Sequence, residues 1–280
     1  PAIPNATLKS VGGDYDAVLD WQSEQQAEFN AAPEPYTLTC FKEGWESGTD
    51  QGNVNFTGWN TDAVNQVTVQ GAPDSEHGGV VGAGFYIIGY FGWQVSSQSY
   101  FNIIGVEISN TGPQPCFSST NAVQCRLERA ILNTASNSRE AFNTGGQGAE
   151  DSNPPAMYID NCLLIKNSSD ATKYAAYLWG AKYTIRNTTI IASANAGVAT
   201  AGVIWGVDGG CVLDNVIIAN FSTVSPSAPF IGAACTFTYF AVSDGGNGST
   251  GIQTNITESD FEDYALGDYR VTSTGKMQSG

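Results

Sequence analysis

Three stretches of the chain repeat one pattern of apolar and polar positions. Met157-Tyr158-Ile159-Asp160-Asn161-Cys162-Leu163-Leu164-Ile165, Tyr183-Thr184-Ile185-Arg186-Asn187-Thr188-Thr189-Ile190-Ile191 and Cys211-Val212-Leu213-Asp214-Asn215-Val216-Ile217-Ile218-Ala219 each run as a short alternating strand, an Asn, and a second apolar pair. Ile159, Ile185 and Leu213 stand 26 and 28 residues apart, and a fixed period of about 20–50 residues marks a solenoid. Residues 101–105, 125–129 and 235–239 share the frame. Six stacked rungs give one column of Phe101, Cys125, Met157, Tyr183, Cys211 and Cys235, and a second of Ile103, Leu127, Ile159, Ile185, Leu213 and Phe237. Five residues further on stand Ile108, Leu132, Leu164, Ile190, Ile218 and Val242. Apolar side chains at alternating positions point from a strand into a core, and the polar residues between them face out.

A further strand in each turn is predicted at 177–180, 203–206 and 230–232, again 26 residues apart at Trp179, Trp205 and Ile231. The fold class this predicts is all-β, a right-handed parallel β-helix; the hand follows from the crossover preference of parallel strands. Asn161, Asn187 and Asn215 fall at one turn, where stacked amides hydrogen-bond along the column. An open solenoid end exposes unpaired strand groups, so each end needs a cap. Residues 1–12 read as an arm. A capping helix opens near Asp14, its N-cap, with Tyr15, Val18 and Leu19 on one face. The organisation is therefore 1–35 arm and capping helix, 36–243 β-helix, and 244–280 terminal cap. Strands are expected at 36–40 and 66–69, regular coils from Phe101, and an insertion at 136–155, where the rung from Leu127 to Ile159 is long.

The 280 residues include 32 Gly and only 14% charged residues, which suits turns and short strands. A net charge of −16 disfavours nucleic acid and anionic membranes as partners. No apolar run nears the ~20 residues of a membrane-spanning helix. Pro1-Ala2-Ile3-Pro4 lacks the basic and apolar regions of a secretory signal, so synthesis and folding in a cytoplasm are expected. Of the six cysteines, Cys125, Cys211 and Cys235 sit in an inward column and read as small core hydrophobes. Cys211–Cys235, on adjacent coils ~4.8 Å apart, and Cys116–Cys125, across a short loop, are the two pairs within disulfide reach. Mostly free thiols are expected. No metal-ligand spacing occurs, and no cofactor is implied. The Asn-x-Ser/Thr sequons, Asn187 among them, read as chance in a chain rich in these residues.

Gly12-Gly13-Asp14-Tyr15 with Trp21, then Gly58-Trp59-Asn60-Thr61-Asp62-Ala63 leading to His77-Gly78, and finally Gly267-Asp268-Tyr269-Arg270-Val271 resemble the first and last coils of a family of right-handed β-helix repeat proteins. Its members are encoded by tailed bacteriophages and environmental bacteria. The likeness spans nearly the whole chain through structural motifs. Thr274-Gly275-Lys276-Met277 replaces the Ser-Pro-Ala that often follows in the family, so the far cap differs. The resemblance implies the fold, whereas function must come from a site.

Glycoside cleavage needs two carboxylates, ~5–5.5 Å apart for retention or ~6.5–9.5 Å for inversion. Glu128, Asp160 and Asp214 occupy one outward column and are the catalytic candidates. Arg186 interrupts that column, which makes an alternating surface ladder the simpler reading. His77, the single histidine, lies in the Gly-rich stretch 71–84 without a nucleophile nearby and reads as structural. Trp179 and Trp205 are carbohydrate-stacking candidates, with packing as the simpler role. The function expected is a non-enzymatic structural protein of a phage virion, a head decoration, fibre or tail-spike-type attachment module. Its expected partners are other virion proteins in a homotrimeric assembly, and a cell-surface polysaccharide. The alternatives are a polysaccharide depolymerase using Glu128, Asp160 and Asp214, and a bacterial extracellular adhesin.

Overall fold

The fold was analysed in a computed structural model, which describes residues 2–45, 48–50, 54–89, 92–96, 100–120, 124–134, 140–144, 157–167, 175–178, 182–193, 211–219, 236–242, 252–254, 259, 261–263 and 268–271. The chain opens with β1 (Asn5–Leu8) and α1 (Val18–Ala31), then winds coils of up to three strands. These are β2 (Tyr36–Cys40), β3 (Thr49–Asp50) and β4 (Asn55–Phe56); β5 (Val67–Gly71), β6 (Tyr86–Gly89) and β7 (Trp93–Ser96); and β8 (Phe101–Ile104), β9 (Glu107–Asn110) and β10 (Phe117–Thr120). Next come β11 (Cys125–Glu128), β12 (Ile131–Thr134) and β13 (Phe142–Thr144), then β14 (Met157–Asp160), β15 (Leu163–Lys166) and β16 (Ala176–Tyr177). Three longer strands, β17 (Tyr183–Ala192), β18 (Cys211–Ala219) and β19 (Thr236–Val242), precede β20 (Ile252–Thr254) and a hairpin of β21 (Phe261–Asp263) and β22 (Asp268–Val271).

The protein is a parallel β-helix. Strands β1-β2-β5-β8-β11-β14-β17 form one face, β3-β6-β9-β12-β15-β17 a second, and β4-β7-β10-β13-β16 a third. Strand β17 runs through the corner and joins the first two faces into one 15-stranded sheet. Among the described residues only the β21–β22 hairpin is antiparallel. The register reproduces the sequence columns: Ile103, Leu127, Ile159, Ile185, Leu213 and Phe237 lie rung on rung, as do Ile108, Leu132, Leu164, Ile190, Ile218 and Val242.

Several expectations are corrected. Regular coils begin at β2, not at Phe101, because Leu38 and Val69 stack in register beneath Ile103. Residues 5–8 of the supposed arm are the first strand, paired with β2. The turns carry three strands where two were expected, and β13 lies inside the segment assigned to an insertion. The expectation of free thiols holds for the described cysteines: Cys40, Cys116, Cys125 and Cys162 are buried and unbridged, so Cys116 and Cys125 form no disulfide. The Cys235 half of the other candidate pair lies outside the described residues.

The corner between the first two faces explains the Asn column. Gly105, Arg129, Asn161, Asn187 and Asn215 all have positive φ, between 46° and 67°, the left-handed region that Gly and Asn tolerate best. The stacked amides are offset from the expected ladder. Asn215 Nδ2 donates to Asn187 Oδ1 at 2.9 Å, but Asn187 Nδ2 donates to Asp160 Oδ1 at 3.0 Å and passes Asn161 by.

Helix α1 starts later than expected. Ala17 is its N-cap, without a side-chain hydrogen bond, while Asp14 Oδ2 instead accepts from Thr7 N and Thr7 Oγ1, both at 2.8 Å. The buried stripe is Val18, Trp21, Gln25 and Phe29, and Leu19 is 41% exposed. Trp21 and Phe29 close against Trp59 and Tyr36 as a four-ring cluster with centroids 5.2–6.3 Å apart. On the next face, Gln22 Nε2 donates to Asn55 O at 2.7 Å, Gln26 Nε2 to Thr57 O, and Asn30 Nδ2 to Gly58 O at 2.7 Å. These amides recur every four residues, so one helical face meets the carbonyls of residues 55, 57 and 58, in β4 and the turn after it. Strand β4 is the edge strand of the third face, and the helix amides reach carbonyls on that edge in place of a further coil.

A second apolar cluster lies outside the first barrel of side chains. Ile131, Leu163, Ile165, Ile191 and Ala219 occupy outward positions of the second face, yet each is at most 7% exposed. Val81 packs against them from the segment between β5 and β6.

Candidate functional site

The outward residues at the end of the first face run Glu128, Asp160, Arg186 and Asp214 on successive rungs, and neighbouring parallel strands lie ~4.8 Å apart. Each carboxylate is engaged. Glu128 meets Arg126 Nη1 at 3.0 Å and Arg129 Nη1 at 2.5 Å, Asp160 accepts from Asn187, and Asp214 lies 3.8 Å from Arg186 Nε. A general acid must hold a proton at neutral pH, which requires apolar surroundings or a second carboxylate without a cation between. Glu128 instead lies between two guanidinium groups, those of Arg126 and Arg129. Trp179 and Trp205 lie outside the described residues.

The Gly-rich stretch 71–84 belongs to a loop, 72–85, that leaves β5; what the sequence did not disclose is that it crosses this ledge. His77 reaches 52 residues along the chain to place Nε2 2.6 Å from Arg129 O, while Gly79 N–H donates to His77 Nδ1 at 2.9 Å. A backbone N–H can only donate, so Nδ1 is bare and Nε2 carries the proton that Arg129 O accepts. Burial lowers the His77 pKa first; the Arg129 carbonyl and Glu76 act the other way. The ring is 7% exposed and clasps the loop to the left-handed corner, in agreement with a structural histidine.

Two more ties hold the loop. Gly82 N–H donates to Glu107 Oε2 at 2.7 Å, and Ser109 Oγ donates to Glu107 Oε1 at 3.0 Å. Burial raises the Glu107 pKa, against the lowering effects of those donors, Asn133 and Lys42. Lys42 Nζ donates to Ala83 O at 2.8 Å. The loop is thus anchored by a base, an acid and a cation drawn from three different coils.

Between this loop and the corner column lies a groove of about 360 Å³. Glu76 and Arg129 line it as an ion pair, with Arg129 Nη2 3.0 Å from Glu76 Oε1. Arg129 therefore bridges Glu76 and Glu128. Asn161, Asn187, Thr189 and Leu163 line it too. Neither Glu76 nor Arg129 was a sequence candidate, although Arg129 carries a signal: it takes the column position that Asn fills on the three following rungs. Gly105 stands one rung before it, where a Cβ would come within 3.1 Å of Glu76. Among the described residues no three metal-ligating side chains converge.

No family model matches the chain, and no curated protein does. A crystal structure of pectate lyase Pel9A superposes with a TM-score of 0.42 at 12% identity, over 99% of this chain and 91% of that one. An overlap this loose transfers no chemistry. In its own right, then, this chain is a parallel β-helix with a single N-terminal helix among the described residues, and a loop clasped over one corner by its one histidine.

Proposed function

We propose that the protein is a non-catalytic structural element displayed on a phage particle, a decoration or attachment module built on a rigid β-helical shaft. The observation that carries this reading is the state of the outward ledge. Glu128 is bound by two guanidinium groups, Asp160 by an amide and Asp214 by Arg186, so each candidate carboxylate is already engaged by a neighbour on the ledge. In-register stacking of the coils from β2 to β19 supports a stiff shaft, and α1 protects its first edge. The likeness of 12–15, 58–63 and 267–271 to phage-encoded β-helix proteins supports the location. A homotrimer on a larger assembly is part of the proposal, with cell-surface polysaccharide as the partner of an attachment module.

The test is mass spectrometry of purified particles. Stoichiometric presence supports the reading, and copy number then separates head from tail. Absence from particles, with free protein in the medium, would sink it in favour of an adhesin or a depolymerase. Loss of polysaccharide cleavage on Asp160→Asn with the fold retained would establish the depolymerase.

A further inference from the structure

The groove under loop 72–85 has a composition that narrows what it can hold. Its cation is already neutralised: Arg129 is shared by Glu76 and Glu128, so an anion finds little attraction, and an incoming cation meets the guanidinium. What remains is hydrogen bonding. Asn161 is exposed, and its backbone N–H donates to Arg186 O at 3.0 Å. Its side-chain amide makes no hydrogen bond among the described residues, because the neighbouring Asn187 is committed to Asp160 and to Asn215. The Thr189 hydroxyl, on the next rung, and the second oxygen of Glu76 are likewise unengaged among the described residues.

An amide that both donates and accepts, a hydroxyl and a carboxylate oxygen converge from two coils and the loop, with Leu163 as an apolar wall. A small number of convergent polar groups beside an apolar surface is the composition of a small-molecule site, and 360 Å³ lies at the lower end of the usual ~300–1,000 Å³. An uncharged ligand with several neighbouring hydroxyls and a C–H face meets all of these groups. We propose that this groove is a binding subsite for a neutral saccharide unit, one sugar residue of a longer chain or a free monosaccharide. The subsite deepens the polysaccharide-binding part of the proposed function and rests on it, while its test does not depend on residence on a virion.

The left-handed corner guides the choice of variants. Asn161 has φ 53°, so Asn161→Gly deletes the amide while suiting the backbone, and Thr189→Val removes the hydroxyl from a strand that favours a β-branched residue. The full chain and both variants, checked by far-UV circular dichroism, are titrated in saturation-transfer NMR with glucose, galactose, mannose and N-acetylglucosamine. Glucuronate and glucosamine serve as charged comparators. The expected result is transfer to at least one neutral sugar, roughly tenfold weaker binding in each variant, as loss of one or two hydrogen bonds implies, and weaker transfer to both charged sugars. Absence of transfer to all four neutral sugars, affinity unchanged in both variants, or a preference for a charged sugar would each overturn the proposal.

Discussion

If α1 caps the solenoid, removing its central side chain should loosen the first coils and leave distant ones alone. Trp21 is fully buried, and its ring lies 5.4 Å from Trp59, which in turn abuts Phe29 and Tyr36. Truncating a buried Trp to Ala costs about 3–5 kcal/mol. In a repeat fold, that loss is confined to the affected unit and its neighbours. Local opening at β1 and β2 should therefore become roughly 10²- to 4 × 10³-fold more frequent in Trp21→Ala, since each 1.4 kcal/mol is about tenfold. Hydrogen exchange followed by mass spectrometry reads this directly. Peptides covering 5–8 and 36–40 should exchange faster by that factor, and those covering 157–166 should not change. Trp21→Phe separates packing from polarity. Trp21 Nε1 is buried with no hydrogen-bond partner among the described residues, and leaving such a group unpaired costs about 1–3 kcal/mol. Deleting it offsets part of the lost volume, so exchange in Trp21→Phe should stay within about tenfold of wild type. Equal acceleration along the whole chain would refute the capping argument, as would none at β1 and β2.

Three further outcomes are expected. Because burial holds the His77 pKa below its usual value of about 6.5, the unfolded state binds a proton more readily than the folded one. Stability contributed by the His77 clasp is full above that pH and is lost as pH falls from it towards the lowered folded value. Urea midpoints measured across this range should therefore drop more for wild type than for His77→Gln, and parallel pH profiles would rule out the clasp. Gly105→Ala should cost about 1–2 kcal/mol for its left-handed backbone, φ 67°, and more where the new Cβ presses on Glu76; a thermal midpoint equal to wild type would contradict this. Cys40, Cys116, Cys125 and Cys162 are buried, which raises all four thiol pKa values, those of Cys125 and Cys162 to about 12. Iodoacetamide at about pH 8 should spare them in the native protein and modify them in urea; native labelling at any of these four, seen by peptide mapping, would show the coil interior to be open.

The rungs were legible in the sequence because strand periodicity is local and each coil repeats it. Ile103, Leu127, Ile159, Ile185, Leu213 and Phe237 are all apolar for one reason, burial against the rung before and after, so their register could be read by alignment alone. The Asn column was legible too, since a recurring left-handed corner selects Asn wherever it is not Gly. Contacts between residues far apart in the chain left no such trace. Ile131, Leu163 and Ile191 break the alternation because Val81 and its loop add a second layer over an outward face; the consecutive apolar residues of β12, β15 and β17 mark burial on both faces but do not say which segment covers them. The clasp of His77 on Arg129 spans 52 residues, and the amides of Gln22, Gln26 and Asn30 read as ordinary surface positions of a helix until β4 is placed beneath them. The sequence by itself determined the repeating coil, because the energy of each rung lies in its own alternation. Only the tertiary structure decided which carboxylates are neutralised, where the groove opens and what closes the first edge, because those depend on non-repeating segments brought together by the winding of the chain.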